Sequence, residues 1–481
     1  MVMVVIEPRK GQAMTDGFNP RLGSAEYLRR SEDWYMTRAL LRGTRAMREA
    51  GSKFLPKFQN ETEEAWRRRL SVSVLHKGFG KIVRTMSSLP FGRDIILGPD
   101  VPEAIRGVAS ETGGAGVGGW IENIDNEGTH LSIFAHRVFR CGLAHGSAHI
   151  LVDMPAAGQV DAADARPRWV FLPPWALLDA RKQVIDGIRR YTYVRILEAV
   201  DGPDGPVEKV REIEPGEWRL WAQGKDGWKV EATGPYESDF VTMASFIPVQ
   251  DDEADLRAVF TGPSPLENVA YLNICHWQSA SDQRNILTFS RFALLVLKGV
   301  GGNDAIDVGP QSAIRLPADG GAELLEPAGT GIQSGERDLV ALEQAMEREG
   351  LQLLVKRAGN ITATEVTVDE SKDRSDLQAM TLQFQDTLET ALGYTAQWAD
   401  LGDGGSVRLH LDFGVTQNAE AVARIVLDLR RMGDLSAEDA LSELQRVGIL
   451  AHSADVAALV ARAREGAMLD IPPAPDDDEA A

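Results

Sequence analysis

Residues 262–277, GPSPLENVAYLNICHW, decide how the chain is read. Ser264 is a strong N-cap, Pro265 suits the first helical position, and Glu267 completes an S-x-x-E capping box. Continued, the helix places Leu266, Ala270, Ile274, Trp277 and Ala280 on one stripe at steps of three or four. The stripe then fails, because Ser281, Asp282, Gln283, Arg284 and Asn285 precede the next apolar residue, Ile286. A buried helix would not carry such a run, and a surface helix rarely needs such length. The expectation is a helix over 264–292 that travels between two environments.

Downstream, ALLVLKG, SAIRLPA and GAELLEP are short apolar runs separated by glycines, a compact β-rich piece. A second helix starts near Ser334 and stripes Leu339, Leu342, Met346, Gly350 and Leu353. After the loop RAGNITATEVTVDESKDRS a third begins near 376, striped by Leu377, Met380, Phe384, Leu388, Ala391, Thr395 and Trp398. VRLHLDFG (407–414) reads as a strand, 416–466 as helical with a turn near Gly433, and PPAPDDDEAA as a disordered acidic tail.

Upstream, 24–51 is helical and ends on a glycine stop. Residues 60–89 form a further helical stretch, with Asn60 and Glu63 as its cap signature and Pro90 as its stop. FGRDIILG is a plausible strand, ETGGAGVGGW (111–120) a joint, Leu131–Leu143 a helix and SAHILVD (147–153) a strand. From about 165 to 260 the period changes. RWVFLPP, RRYTYVRILEAV, EWRLWAQ and GWKVEATG, separated by DGPDGP and QGKDG, predict one antiparallel β unit of roughly a hundred residues. The fold class is α+β.

Composition narrows the function. Acids exceed bases by 71 − 51 = 20, which argues against gripping nucleic acid or anionic membrane by net charge. Two cysteines cannot build a disulfide framework and fit a reducing compartment. No apolar run reaches spanning length, and MVMVVI lacks the basic start of a signal peptide. The segment before Met14 reads as a disordered lead or as sequence ahead of the true start.

No catalytic, cofactor or metal site emerges. GGAGVGG (113–119) lacks the Gly-Lys-Ser/Thr ending of a phosphate loop and reads as linker. His130, His136, His145 and His149 lack metal-ligand spacing. Asp125 and Glu127 could pair for acid–base work, but DNEG is ordinary turn composition. Glu365, Asp369, Glu370, Asp373 and Asp376 miss the EF-hand order and read as a solvated loop face.

The order of parts, together with four blocks, carries a resemblance. These are FLPKF with ETEEAWRRRL (61–70), DNEGTHLSIFAHRVFRCGLAHGSAHILVDMP (125–155), PLENVAYLNICHWQSASDQRNILTFSRFALLVLKG (265–299) and NITATEV (360–366). Over roughly residues 24–400 the chain resembles the portal proteins of tailed bacteriophages, in an SPP1-like branch. The resemblance implies a portal fold of wing, stem, clip and crown, assembled into a ring of about twelve copies around a central channel. It implies a disordered lead over 1–23 and a wing over 24–263, β-rich from 147 to 260. The stem helix would be 264–292, the clip 293–335 and the returning stem helix 336–357. The tunnel loop, tunnel helix and a wing strand would fill 358–415, the crown 416–470 and the acidic tail 471–481.

Within that scheme Leu266, Ala270, Ile274 and Trp277 would pack the stem on neighbouring subunits. Arg284, Arg291, Lys298, Lys356, Arg357, Glu365, Asp369, Glu370 and Asp373 are the candidate channel-facing residues. The implied partners are further copies of the chain, the terminase large subunit, a head-completion or adaptor protein, and capsid and scaffolding proteins. Double-stranded DNA would pass through without sequence recognition, with no membrane, cofactor or enzymatic step. The implied place is the capsid vertex of the virion, after assembly in the host cytoplasm. The rival readings are a soluble enzyme with an unrecognised site and another structural head–tail adaptor.

Overall fold

Helices and sheets mix among the described residues up to Arg408, as the periodicities require. The computed structural model describes residues 18–108, 118–155, 165–202, 205–225, 227–248, 258–290, 294–298, 321–325, 330–354 and 375–413, with shorter pieces between 424 and 462. The chain divides into two units, Met1–Pro102 with Ile121–Leu411, and Glu103–Trp120 with Asp412–Ala481.

In the first unit α1 (Ala25–Arg42) starts at Ser24, whose hydroxyl accepts from Tyr27 N–H. The single helix expected over 24–51 is broken at Gly43, where φ is +89°, and α2 (Thr44–Ala50) follows. The stretch 60–89 also splits, into α3 (Glu63–Val72) and α4 (Gly78–Ser88). Its cap is Thr62 rather than Asn60, because the Thr62 hydroxyl accepts from Ala65 N–H, three residues on. The break has a tertiary cause. Both Arg48 Nε and Nη2 donate to the Ser73 carbonyl, at 3.0 and 2.8 Å, so that carbonyl is taken by a partner from outside the helix.

The predicted single β unit is two sheets. In one, β2 (Ala148–Asp153) lies between β3 (Arg168–Leu172) and β9 (Met243–Phe246), antiparallel to both. α6 (Leu131–His145) and α9 (Asp376–Trp398) pack on it. Their meeting point is aromatic: Phe139 stacks on Phe246 at 5.2 Å, and Phe384 meets Phe246 at 4.9 Å. A Cβ on Gly142 would fall 2.3 Å from the Phe246 ring, so only glycine admits that contact.

The other sheet is a meander in sequence order: β4 (Leu177–Ile185), β5 (Ile188–Gly202), β6 (Gly205–Glu214), β7 (Gly216–Gly224) and β8 (Gly227–Tyr236). β4 and β6 have no counterpart among the expected strands. Asp186–Gly187, both at positive φ, make the two-residue turn between β4 and β5. β9 returns to β2 instead of extending the meander, a pairing that spans ninety-odd residues and leaves no local signal.

Both expected strands at 91–98 and 407–414 shrink to two residues, β1 (Ile96–Leu97) paired with β12 (Val407–Arg408). Side chains of α9 take the backbone instead, with Val407 N–H donating to Glu389 and Leu409 N–H to Gln385. α9 itself begins on a full capping box between Ser375 and Gln378. Its expected stripe, from Leu377 to Thr395, is buried.

α7 (Glu267–Ser290), β10 (Leu294–Lys298), β11 (Gly321–Leu325) and α8 (Thr330–Gln352) complete this unit. α8 begins earlier and ends earlier than the 336–357 expected for it. In the second unit α5 (Glu103–Arg106) buries Ile105, and α10 (Ala437–Arg446) is capped by Ser436, which accepts from Asp439 N–H. Residues 1–17 of the expected lead, 111–117 of the expected joint (111–120), the turn near Gly433 and the acidic tail lie outside the described residues. Residues 18–23 of that lead are placed, with Phe18 against Trp221 and Arg21 paired with Glu208.

Candidate functional site

The element that the opening stretch predicts is a helical hairpin, α7 against α8, with the antiparallel pair β10–β11 between them in sequence. At 24 residues α7 is about 36 Å long. Its start is fixed from two sides. Ser264 Oγ accepts from Leu266 N–H and donates to the Leu143 carbonyl at the end of α6. Glu26 Oε1, on α1, accepts from Val259, Phe260 and Thr261 N–H at 2.8–2.9 Å, tying down the approach. Gly146 lets that approach pass, since a Cβ there would lie 2.1 Å from the Gly262 carbonyl.

The apolar stripe is closed by the chain itself. Leu266, Ala270 and Trp277 are at most 1% exposed, and Ile274 is half-buried. The expectation that this stripe packs on neighbouring subunits therefore needs correcting for its buried members, which already have protein around them. α8 answers with Met346 and Leu353 buried and Leu339 and Leu342 half-buried. Gly350 admits Ile82 of α4, whose Cγ2 would sit 2.7 Å from an added Cβ.

The first three residues of the polar run are not a solvent face either. Ser281 and Gln283 are buried, and Asp282 is half-buried. Ser281 and Asp282 are received by Arg69 of α3, with a side chain 3% exposed. Its five N–H groups all have acceptors: Glu61 twice at 2.7 and 2.9 Å, the Pro56 carbonyl at 2.9 Å, Asp282 at 3.3 Å and Ser281 at 3.5 Å. Its guanidinium also lies over Phe58. Arg69 holds the Glu61 carboxyl below its ordinary range, outweighing the upward push of burial. Burial pushes Asp282 the other way, against the pull of Arg69. Gln283 donates to the Ile332 carbonyl on α8 at 2.8 Å, a fit that Gly335 permits by having no side chain.

Of the candidate channel-facing residues, Arg284 is exposed and lines a hollow of about 480 Å³ with Val72, Val74, Leu287 and Leu339. Lys298 is exposed and paired across the strands with Glu323 at 3.2 Å. Arg291, Lys356, Arg357, Glu365, Asp369, Glu370 and Asp373 lie outside the described residues. Ile286 and Val340 are exposed on α7 and α8.

The four clustered histidines go to separate tasks. His130 caps α6, and His136 lies against Phe91. His145 bonds Thr37 at 2.7 Å and His149 bonds Ser245 at 2.8 Å, and burial pushes each down to about 3. Asp125 accepts from Glu127 and Thr129 N–H, and these bonds outweigh burial in holding its carboxyl low. That is a turn, not an acid–base pair. A different group, His76, His276 and Glu343, brings three metal-ligating side chains together and has no counterpart among the expected sites. Some two hundred residues separate the two histidines.

A domain of unknown function, DUF4055, matches residues 265–399, a span opening at the start of α7 and closing just past α9. No curated protein matches the chain. Among solved structures it is similar to a chain of the virion of native gene transfer agent (GTA) particle, at 12% identity and TM-score 0.37, covering 76% of this chain and 89% of that one. It is similar to a chain in the neck of empty GTA particle computed with C6 symmetry, at 12% identity, TM-score 0.42 and the same coverage. A third likeness is to the neck of native GTA particle computed with C12 symmetry, at 11% identity and TM-score 0.36, covering 77% of this chain and 89% of that one.

Proposed function

We propose that the chain is the subunit of a portal ring at a capsid vertex, through which DNA is packaged by terminase and later leaves. In this reading α7 and α8 are the stem, the piece carrying β10 and β11 is the clip that meets terminase and head-completion proteins, and the role is structural rather than enzymatic. The assignment to an SPP1-like branch rests on the four sequence blocks alone. The observation that carries the reading is the helix–strand–strand–helix element, whose inner stripes are filled and whose outer side keeps apolar residues in the open. Val72 and Val74, 47% and 54% exposed, edge the hollow beside α7 and offer a neighbour a seat. A heterologous contact of this kind, repeated by rotation, closes a ring.

The acidic balance fits a conduit. Each Lys or Arg contact to phosphate adds sequence-independent affinity, which would hold a duplex that has to slide. With 20 surplus acids per chain, a ring of about twelve copies carries about 240 negative charges. Exposed Arg284 is a base that could centre the duplex.

Val74→Asp tests the assembly. The residue is exposed, so the monomer stays folded with an unchanged circular dichroism spectrum, while native mass spectrometry shifts from rings to single chains. A wild-type chain that stays monomeric over a wide concentration range would sink the portal reading.

A further inference from the structure

We propose that His76, His276 and Glu343 form a site for one divalent transition-metal ion, zinc being the best match, that ties the α3–α4 connection to both long helices. His276 stands on α7 and is 6% exposed in its side chain, with Nε2 at 3.1 Å from Glu343 Oε1 on α8. His76 reaches the same oxygen from the connection between α3 and α4, with Nδ1 at 3.5 Å. The two imidazole rings are 4.8 Å apart, and all three donor atoms lie within 4.8 Å of one another.

The donor set and its spacing select the ion. Two imidazole nitrogens and one carboxylate oxygen suit zinc, which takes three protein ligands and a water at about 2.0–2.1 Å. Such a tetrahedron has donor–donor edges of about 3.3 Å, and two of the three edges here are 3.1 and 3.5 Å. The third, within 4.8 Å, closes by a turn of the His76 side chain, which is 40% exposed. Calcium and magnesium prefer all-oxygen shells and fit poorly.

His76 is also placed by a second contact. Asn273, on α7 three residues before His276 and fully buried, donates through Nδ2 to the His76 carbonyl at 2.9 Å and accepts from Phe79 N–H at 2.9 Å. The histidine backbone is thus pinned to the helix that carries the second ligand, which lowers the ordering cost of binding. With His76 and Glu343 both at the surface, an ion enters without opening the hairpin.

The site does not depend on the portal reading. The full chain, stripped with a chelator, is titrated with zinc chloride by calorimetry, with magnesium chloride as the contrast. The expected result is one zinc per chain, a higher melting temperature with zinc and no response to magnesium. His76→Ala and Glu343→Gln alter surface side chains and leave the fold intact, and each weakens zinc binding by at least tenfold. Absence of zinc binding by the wild type, or affinity unchanged in both variants, overturns the proposal.

Discussion

The two halves of α7 solve one problem in opposite ways. Between Leu266 and Trp277 one stripe is buried by apolar packing, and Ser281 and Asp282 are taken up by a network around one arginine. The first half gains from surface removed from water, about 25 cal/mol per Å². The second must offset the desolvation of Arg69 and Glu61 with fully matched hydrogen bonds, and its net contribution to stability is small. What it supplies is position, since five donors at fixed angles accept only one placement of α3 against α7. A polar run in a long helix thus marks either water or a satisfied partner.

The largest break is expected in the apolar half. Trp277→Ala should cost about 4 kcal/mol in urea unfolding, by lost burial and the cavity left behind. Trp277→Phe should recover most of that loss, since the indole N–H has no partner among the described residues. Equal losses for both variants would mean that the indole nitrogen is held after all. Trp277→Asp would unfold the monomer rather than merely separate subunits, because the residue is fully buried.

The next effect sharpens the polar half. Arg69→Met at pH 7 should cost about 3 kcal/mol by stranding Glu61, while Arg69→Met with Glu61→Leu should cost clearly less. The gap is pH-dependent. Glu61 has a folded-state value depressed below 4.5, so its contribution is complete above about pH 4.5–5 and is lost as pH falls through that depressed value. Arg69→Met lacks that contribution and is relieved when Glu61 protonates, so the curves of wild type and variant converge in acid. Asp282, raised by burial, runs with the opposite sign and softens the wild-type loss. Parallel curves from pH 7 to 3.5 would show that Glu61 is not the group that Arg69 holds.

The smallest effect lies where α8 meets α4. Gly350→Ala gains helix propensity but drives a methyl into Ile82, for a net cost of about 1 kcal/mol. Combining it with Ile82→Val should return part of the loss, and a stabilised single variant would show that α4 and α8 have room to part.

Much of the architecture was legible because it is local. Stripes at helical spacing and turn chemistry such as DGPDGP and QGKDG act within a few residues, so α1, α6, α9 and most of the meander could be read. The Asp186–Gly187 turn was equally available, and reading it would have supplied β4. The candidate site was legible only in outline. The start of α7 and its change of character stand in the sequence, but nothing near Ser281 or Asp282 points to Arg69, two hundred residues away.

By itself, then, the sequence determined an α+β chain with a strong surplus of acids, a long helix of mixed character and a β-rich piece between two helices. Tertiary structure decided what that helix meets. It returned β9 to β2, gave the backbone at 407 and 409 to side chains of α9, sealed the apolar stripe within one chain and brought His76 to His276. The physical reason is range. Caps, turns and periodicity act over one or two turns of chain, whereas the partner of a buried charge or an unpaired strand edge is chosen by the closure of the whole fold.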